Sequence, residues 1–138
     1  MRHLLLAFAL LSGCAHVDRV SYTPQPGRIV DPRAELQAFI KQNTVQGCLT
    51  EPVFEGATLD VKWVCSRALG HAMVRLDRVV SIAIDHSGDW YRVTVHHSTG
   101  IDDFEWESKS LEDIQRAADA LDALSGQKTS KGARTAQM

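Results

Sequence analysis

The sequence lacks the motifs that most often identify an enzyme or a cofactor-binding protein. It contains no glycine-rich phosphate loop, no Cys-x-x-Cys pair, no Gly-x-Ser-x-Gly motif and no internal repeat. Its longest uninterrupted apolar run, Leu4 to Leu11, has eight residues, whereas a membrane-spanning helix needs about 20. We therefore expect a protein that is not an enzyme, holds no cofactor and has no transmembrane helix.

The chain also lacks a basic face. Its formal charge is −2 over 138 residues, and the stretch 101–126 carries eight acidic residues against two basic ones. The last twelve residues carry three basic residues and no acidic one. A nucleic-acid-binding surface needs clustered Lys and Arg to neutralise phosphates. We therefore expect no nucleic-acid partner.

The histidines do not form a metal-binding pattern. His96 and His97 are adjacent, and neighbouring residues of a strand point to opposite faces of the sheet. A zinc site needs three or four converging ligands, and no helix-spaced ligand pair is present. The sequence thus predicts surface histidines rather than a metal site.

The first fourteen residues have the organisation of an export signal. Arg2 supplies a positive charge, the apolar run follows, and the run ends in Leu11-Ser12-Gly13-Cys14. These last four residues resemble the lipobox of bacterial lipoproteins at every position. The resemblance implies that residues 1–13 are removed as a signal peptide. It also implies that the Cys14 thiol accepts a diacylglyceryl group carrying acyl chains such as palmitate.

The same resemblance implies a location. Two or more acyl chains anchor a protein stably, so the mature chain would stay at a membrane without a spanning helix. The residue after the lipidated cysteine is Ala15 rather than Asp, which in enteric-type bacteria favours the outer membrane. We expect a lipid-anchored protein of the cell envelope that faces the periplasm, with another envelope protein as a possible partner.

Two cysteines remain after Cys14 is assigned. Cys48 and Cys65 form an even pair in a protein expected to be exported, and oxidising compartments allow such pairs to persist as disulfides. Closing the loop between them would contribute about 3 kcal/mol on the chain-entropy model. The alternative is two buried free thiols that act as small hydrophobic side chains.

The rest of the chain divides into a tether, one domain and a tail. Residues 14–31 contain two prolines and a glycine without an apolar period, which predicts a flexible tether. Asp31-Pro32 is typical of a helix start, and Leu36, Phe39 and Ile40 follow at helical spacing. Residues 44–56 are ambiguous. We expect a single α+β domain over 32–126 and a disordered basic tail over 127–138.

From Thr58 the apolar period changes to alternation, which predicts five antiparallel strands joined by short turns. The residues expected to face the core are Leu59, Val61, Trp63, Cys65, Ala72, Val74, Leu76, Val80, Ile82, Ile84, Tyr91, Val93, Val95, Phe104 and Trp106. Ser110 begins a C-terminal amphipathic helix whose apolar side is to cover the sheet. On its other side we expect Asp119 and Asp122 to face water, and Gly126 should end it.

The predicted architecture is a leading helix, a meander or partial barrel of five or more strands, and a covering C-terminal helix. Its second half, Val80 to Leu124, resembles the pleckstrin-homology-like superfold, especially the aromatic strand Phe104-Glu105-Trp106 before the C-terminal helix. The resemblance implies a partial barrel closed by that helix. It does not carry lipid-headgroup binding, because fold alone does not define function.

Trp90 and Arg92 mark a candidate partner surface. Both fall on the face opposite the expected core, and Trp and Arg are favoured at interface hot spots. If the sheet instead closes into a barrel, Trp90 would lie under the leading helix. The sequence favours a membrane-anchored, non-enzymatic binding or scaffolding module. The alternative is a small-ligand-binding or enzyme-accessory domain with a pocket under the C-terminal helix.

Overall fold

The structure is a computed structural model, which describes residues 16–44, 47–98 and 104–125. The signal peptide, Cys14 and the predicted tail lie outside these ranges, so their assignments stay predictions. Within these ranges no helix is both long enough and apolar enough to cross a membrane. The main elements are β1 (Asp18–Val20), α1 (Pro32–Gln42), β2 (Cys48–Glu55), β3 (Thr58–Cys65), β4 (Ala68–Arg75), β5 (Val79–Ser87), β6 (Trp90–His97), β7 (Phe104–Ser108) and α2 (Leu111–Ser125).

The strands form two antiparallel sheets rather than one meander. One sheet has four strands in the order β1-β5-β6-β7, and the other has three in the order β2-β3-β4. The α+β class, the two helices and antiparallel pairing are confirmed, and the meander is matched in part, because β3 pairs with β4 and β5-β6-β7 pair in sequence but β4 does not pair with β5. A short 3-10 helix, Leu76–Arg78, separates β4 from β5, and the Leu76 N–H donates to the carbonyl of Ala57 at 2.8 Å. The chain turns away at this point, so β4 and β5 do not pair.

Part of the predicted tether belongs to the folded domain. Strand β1 pairs with β5, and the Arg19 guanidinium lies 2.6 Å from the Asp85 carboxylate. Further along, the Tyr22 hydroxyl and the Gln25 N–H both donate to Asp119 Oδ1 at 2.7 Å. The expectation of a flexible tether over 14–31 is therefore wrong for this stretch. Backbone pairing and two hydrogen bonds hold it, and neither produces an apolar period in the sequence.

Helix α1 follows the sequence prediction closely. The Asp31 side chain accepts from the Ala34 N–H at 3.1 Å, and Pro32 occupies the first turn, where its missing N–H costs nothing. The predicted residues Leu36, Phe39 and Ile40 are all buried. Helix α1 ends at Gln42 and packs against β2.

Helix α2 covers one face of the four-stranded sheet and packs against α1. The Ser110 hydroxyl caps it by accepting from the Asp113 N–H at 3.2 Å, and Leu121 is 1% exposed, as predicted. The prediction for Asp119 is wrong, because this side chain is fully buried rather than facing water. The stretch around Tyr22 covers that side of the helix. Asp119 is therefore enclosed by part of the segment that the sequence predicts to be a tether.

One irregularity shifts the pattern of β5. The pairing of β5 with β6 changes register between Val79 and Ser81, which is a β-bulge. Val79 is 7% exposed and Val80 is 60% exposed, so the prediction that Val80 faces the core is wrong. Beyond the bulge, Ile84 on β5 is buried as the alternation predicts. Val93 and Val95 on β6 are buried as well, which the alternation also predicts.

Candidate functional site

All three tryptophans of the chain line one groove. Trp63, Trp90 and Trp106 come from three different strands, and the groove between them has a volume of about 850 Å³. It lies where the two sheets approach each other without pairing, at the end of α1. We call this feature the tryptophan groove.

The three-stranded sheet forms the first wall. Trp63, Thr50, Cys48 and Cys65 share the inner face of the β2–β3 hairpin, because residues two apart on a strand point the same way. Trp63 is paired across the sheet with Gly70 on β4, and a Cβ atom at position 70 would overlap its indole ring. The glycine thus lets the ring lie flat against the edge strand, which fixes its orientation in the groove.

A disulfide closes the outer end of this wall. Cys48 and Cys65 are directly opposite each other on β2 and β3, with a Cα–Cα distance of 4.2 Å. The short distance is typical of antiparallel pairs that exchange no backbone hydrogen bonds, where side chains lie closest. The predicted disulfide is confirmed. It joins the two strand ends that carry Trp63 and Thr50, so it also holds the wall together.

Strand β7 forms the second wall. Glu105, Trp106 and Glu107 all line the groove although they are consecutive, and consecutive side chains point to opposite faces. The groove therefore runs along the edge of β7. Trp106 stacks on Phe104 with ring centroids 5.5 Å apart, and its indole N–H has no acceptor among the described residues.

The edge of β7 presents backbone groups to the groove. The turn between β5 and β6 has two residues, Gly88 and Asp89, so the flanking pair Ser87 and Trp90 exchanges backbone hydrogen bonds. The backbone hydrogen bonds of β6 point alternately to β5 and to β7. Val93 therefore bonds to β7, where its partner is Trp106. The N–H and C=O groups of Glu105 and Glu107 consequently point away from β6. Within the described ranges no strand pairs with that edge.

Charged side chains form the rim. Trp90 is 47% exposed, and Lys109 Nζ lies 5.1 Å from its ring centroid in a cation–π contact. Arg92 lies 2.5 Å from Glu107 and 3.6 Å from Glu105. The hydrogen bond to Glu107 raises the pKa of Arg92 above its ordinary value.

The sequence-predicted surface residues lie two positions apart on β6, and both belong to the outward face of the four-stranded sheet. Trp90 lies at the rim of the tryptophan groove and not under α1. Arg92 lies on the outward face of the four-stranded sheet, bound to the two rim carboxylates. Trp63 and Trp106 are not among the sequence-predicted site residues, because alternation assigns them to the core. The glycine opposite Trp63 was the available signal, since a glycine in a strand often marks a close approach.

The histidines that the structure describes do not gather in one place. His97 is buried, and neither of its ring nitrogens has a hydrogen-bond partner among the described residues, whereas His71 Nε2 lies 2.5 Å from Asp60. In the part of the chain that the structure describes, no three His, Cys, Asp or Glu side chains are placed to hold a metal ion. The chemistry of the groove therefore comes from indole rings, rim charges and backbone groups.

A second exposed surface competes with the groove. The outer face of the three-stranded sheet carries Leu49, Val64 and Leu69 in one cross-strand row, and Leu49 and Leu69 are 78% and 81% exposed. Val53 and Met73 lie in a parallel row on the same face. This surface is aliphatic and follows one sheet face, whereas the groove is aromatic and bounded by two sheets.

No family model, curated protein or solved structure matches this chain. The features of the chain that bear on its function are the tryptophan groove and the amino-terminal motif.

Proposed function

We propose that this protein is a lipid-anchored lipoprotein of the bacterial envelope that binds a partner through the tryptophan groove, without catalysing a reaction. The observation that carries the binding proposal is the convergence of Trp63, Trp90 and Trp106 on one concave surface. Tryptophan is among the residues most enriched at binding hot spots. A volume of about 850 Å³ lies within the range of ligand-binding clefts.

The anchor is proposed from the lipobox at Cys14. Only three residues separate Cys14 from the first residue of β1, Asp18. At about 3.5 Å per residue, a fully extended link of this length reaches on the order of 14 Å. A domain on such a link stays close to the membrane surface and meets partners that are themselves envelope components. A Cys14→Ala variant that still labels with fatty acid would remove this part of the proposal.

The groove is a better binding candidate than the outer face of the three-stranded sheet. Its apolar surface is aromatic, and polar groups of Asn43, Thr44 and Thr50 lie among the rings. Binding sites typically combine an apolar lining with a few polar groups that fix orientation. The alternative site beneath α2 has less support, since Ile114 and Leu121, on the inward side of that helix, are already buried in the core.

The test compares two exposed apolar side chains. Trp90→Ala should abolish co-purification of envelope partners after crosslinking in the native host, and should change stability by less than about 1 kcal/mol. Leu69→Ala on the outer face of the other sheet is the matched control and should leave co-purification unchanged. Retained partners in the Trp90 variant, or lost partners in the Leu69 variant, would contradict the proposal.

A further inference from the structure

Resting on the proposed function, we infer that the tryptophan groove takes an extended peptide segment that adds to β7 as a fifth strand of its sheet. The segment carries basic side chains opposite Glu105 and Glu107, and apolar side chains that enter the groove against Trp106. The occupant is thus a strand-forming segment of alternating basic and apolar residues from a partner protein.

The backbone of β7 is the first support. Glu105 and Glu107 direct their N–H and C=O groups into the groove, and regularly spaced donors and acceptors of this kind match another extended backbone. The edge of β2 is different, because α1 packs against that strand and Gln37 Nε2 donates to the Pro52 carbonyl at 3.2 Å. Of these two edges, the one at β7 opens into an aromatic groove.

The side chains of β7 indicate which residues the added strand carries opposite them. Directly opposite residues of antiparallel strands have Cβ atoms about 5 Å apart, so a neighbour of Glu105 or Glu107 lies within reach of its carboxylate. Opposite charges at such positions are favourable and like charges are not. Arg92 already binds both carboxylates from the β6 side. A Lys or Arg on an added strand would approach them from the free side.

The other face of the added strand points into the groove. Residues that alternate with the basic ones lie beside Trp106 on the sheet and face Trp63 across the space. Indole rings pack well against aliphatic or aromatic side chains. At the rim, Lys109 over Trp90 shows that a cationic group is accommodated on this surface.

The experiment measures binding of synthetic peptides to the detergent-solubilised, oxidised full chain by tryptophan fluorescence. The first probe is a heptapeptide of alternating Lys and Val with blocked ends. The second probe is a pair of peptides with the same side chains and N-methyl groups on every other residue. One peptide is methylated on the odd-numbered residues and the other on the even-numbered residues, so each has lost the backbone N–H donors of one strand edge. A third replaces Lys by Glu. We expect the first probe to bind, and one N-methylated peptide and the Glu peptide to bind at least about 10-fold more weakly.

Variants of the protein sharpen the result. Glu105→Ala and Glu107→Ala should each weaken the Lys peptide, whereas Glu51→Ala, an exposed acid on the outer face of the other sheet, should not. Arg92→Ala should strengthen binding, because it frees both carboxylates. Equal affinity for both N-methylated peptides and the parent, or for the Glu peptide, would overturn the inference.

A soluble glycan probe, chitohexaose, separates this inference from the proposed function. If chitohexaose binds and no peptide does, the groove is a glycan site and the strand-addition inference is wrong. If no peptide binds while Trp90→Ala still abolishes partner capture, the inference is also wrong but the proposed function stands. If Trp90→Ala leaves capture intact, the proposed function fails whatever the peptides do.

Discussion

The four-stranded and three-stranded sheets each bury one face, but different interactions hold them. The four-stranded sheet is covered by α2, whose inward residues include Ile114 and Leu121, and its outward face is bound by ion pairs such as Arg92 with Glu107. The three-stranded sheet packs against α1 through β2, and a disulfide joins β2 to β3. Its outward face carries exposed aliphatic residues. One half is stabilised by helix packing, and the other combines packing with a covalent link.

The separation of the strands into two sheets accounts for the position of the candidate binding site. Strand β5 has β1 and β6 as its two neighbours, so the β2-β3-β4 sheet is separate from it. The 3-10 helix after β4 leads the chain from one sheet to the other, and Trp63 of the β2–β3 hairpin and Trp106 of β7 line the groove between the two sheets. The tryptophan groove is thus a consequence of having two sheets rather than one.

The largest effect is expected at the helix of the four-stranded sheet. Leu121→Ala removes a side chain that is 1% exposed and should cost about 2–5 kcal/mol, as buried leucines do. Urea unfolding of the variant beside the parent protein measures the loss. A loss below about 1 kcal/mol would mean that α2 does not pack on this sheet.

The covalent link of the three-stranded sheet comes next. Replacing Cys48 and Cys65 together by Ala should cost about 3 kcal/mol, because the bond closes a loop with a sequence separation of 17. Reducing agent should destabilise the parent protein by a similar amount and leave the double variant unaffected. Two reactive thiols in the unreduced, denatured protein would show instead that the bond does not form.

The buried carboxylate of Asp119, which ties the segment after β1 to α2, should have an intermediate effect. Asp119→Ala leaves the Tyr22 hydroxyl and the Gln25 N–H without their acceptor, which we expect to cost about 1–3 kcal/mol. Asp119→Asn keeps an oxygen for both donors and should cost less than half as much. Thermal unfolding of the two variants gives the comparison. An alanine variant as stable as the parent would show that the stretch around Tyr22 is not held by this side chain.

The smallest expected effect is a gain. Partial burial, together with the nearby Asp119, raises the pKa of Asp122 above its ordinary value of 3.8. The folded state therefore disfavours the carboxylate, and the stability that this group contributes falls as pH rises through the raised pKa. Asp122→Asn should gain roughly 0.2–0.5 kcal/mol at pH 7, and the gain should vanish as pH falls below 3.8. A gain that is the same at pH 7 and pH 3 would contradict this cause.

The sequence predicts those parts of the fold whose signals are local. The Asp31-Pro32 start of α1, the Ser110 cap of α2 and the alternation around Val93 all depend on neighbours within a few residues, and all are confirmed. Strand β1 pairs with residues more than sixty positions away, and the following segment is held by hydrogen bonds to Asp119. Such contacts leave no periodicity in the segment that makes them.

The candidate site was only partly predictable for a related reason. Trp90 was recognised because alternation places it opposite the core. Alternation assigns Trp63 and Trp106 to the core side, and it cannot show that the core side opens where two sheets meet. The chain passes from one sheet to the other at Leu76–Arg78, a turn that has no glycine or proline to mark it.

The claim that partners bind at the groove rather than on the aliphatic face is tested most directly by photo-crosslinking in the native host. A photo-reactive amino acid is introduced at position 109, on the groove rim, or at position 69, on the outer face of the three-stranded sheet. We expect a light-dependent adduct from position 109 that disappears when Trp90→Ala is added, and no adduct from position 69. An adduct from position 69 alone would show that partners bind the aliphatic face instead of the groove.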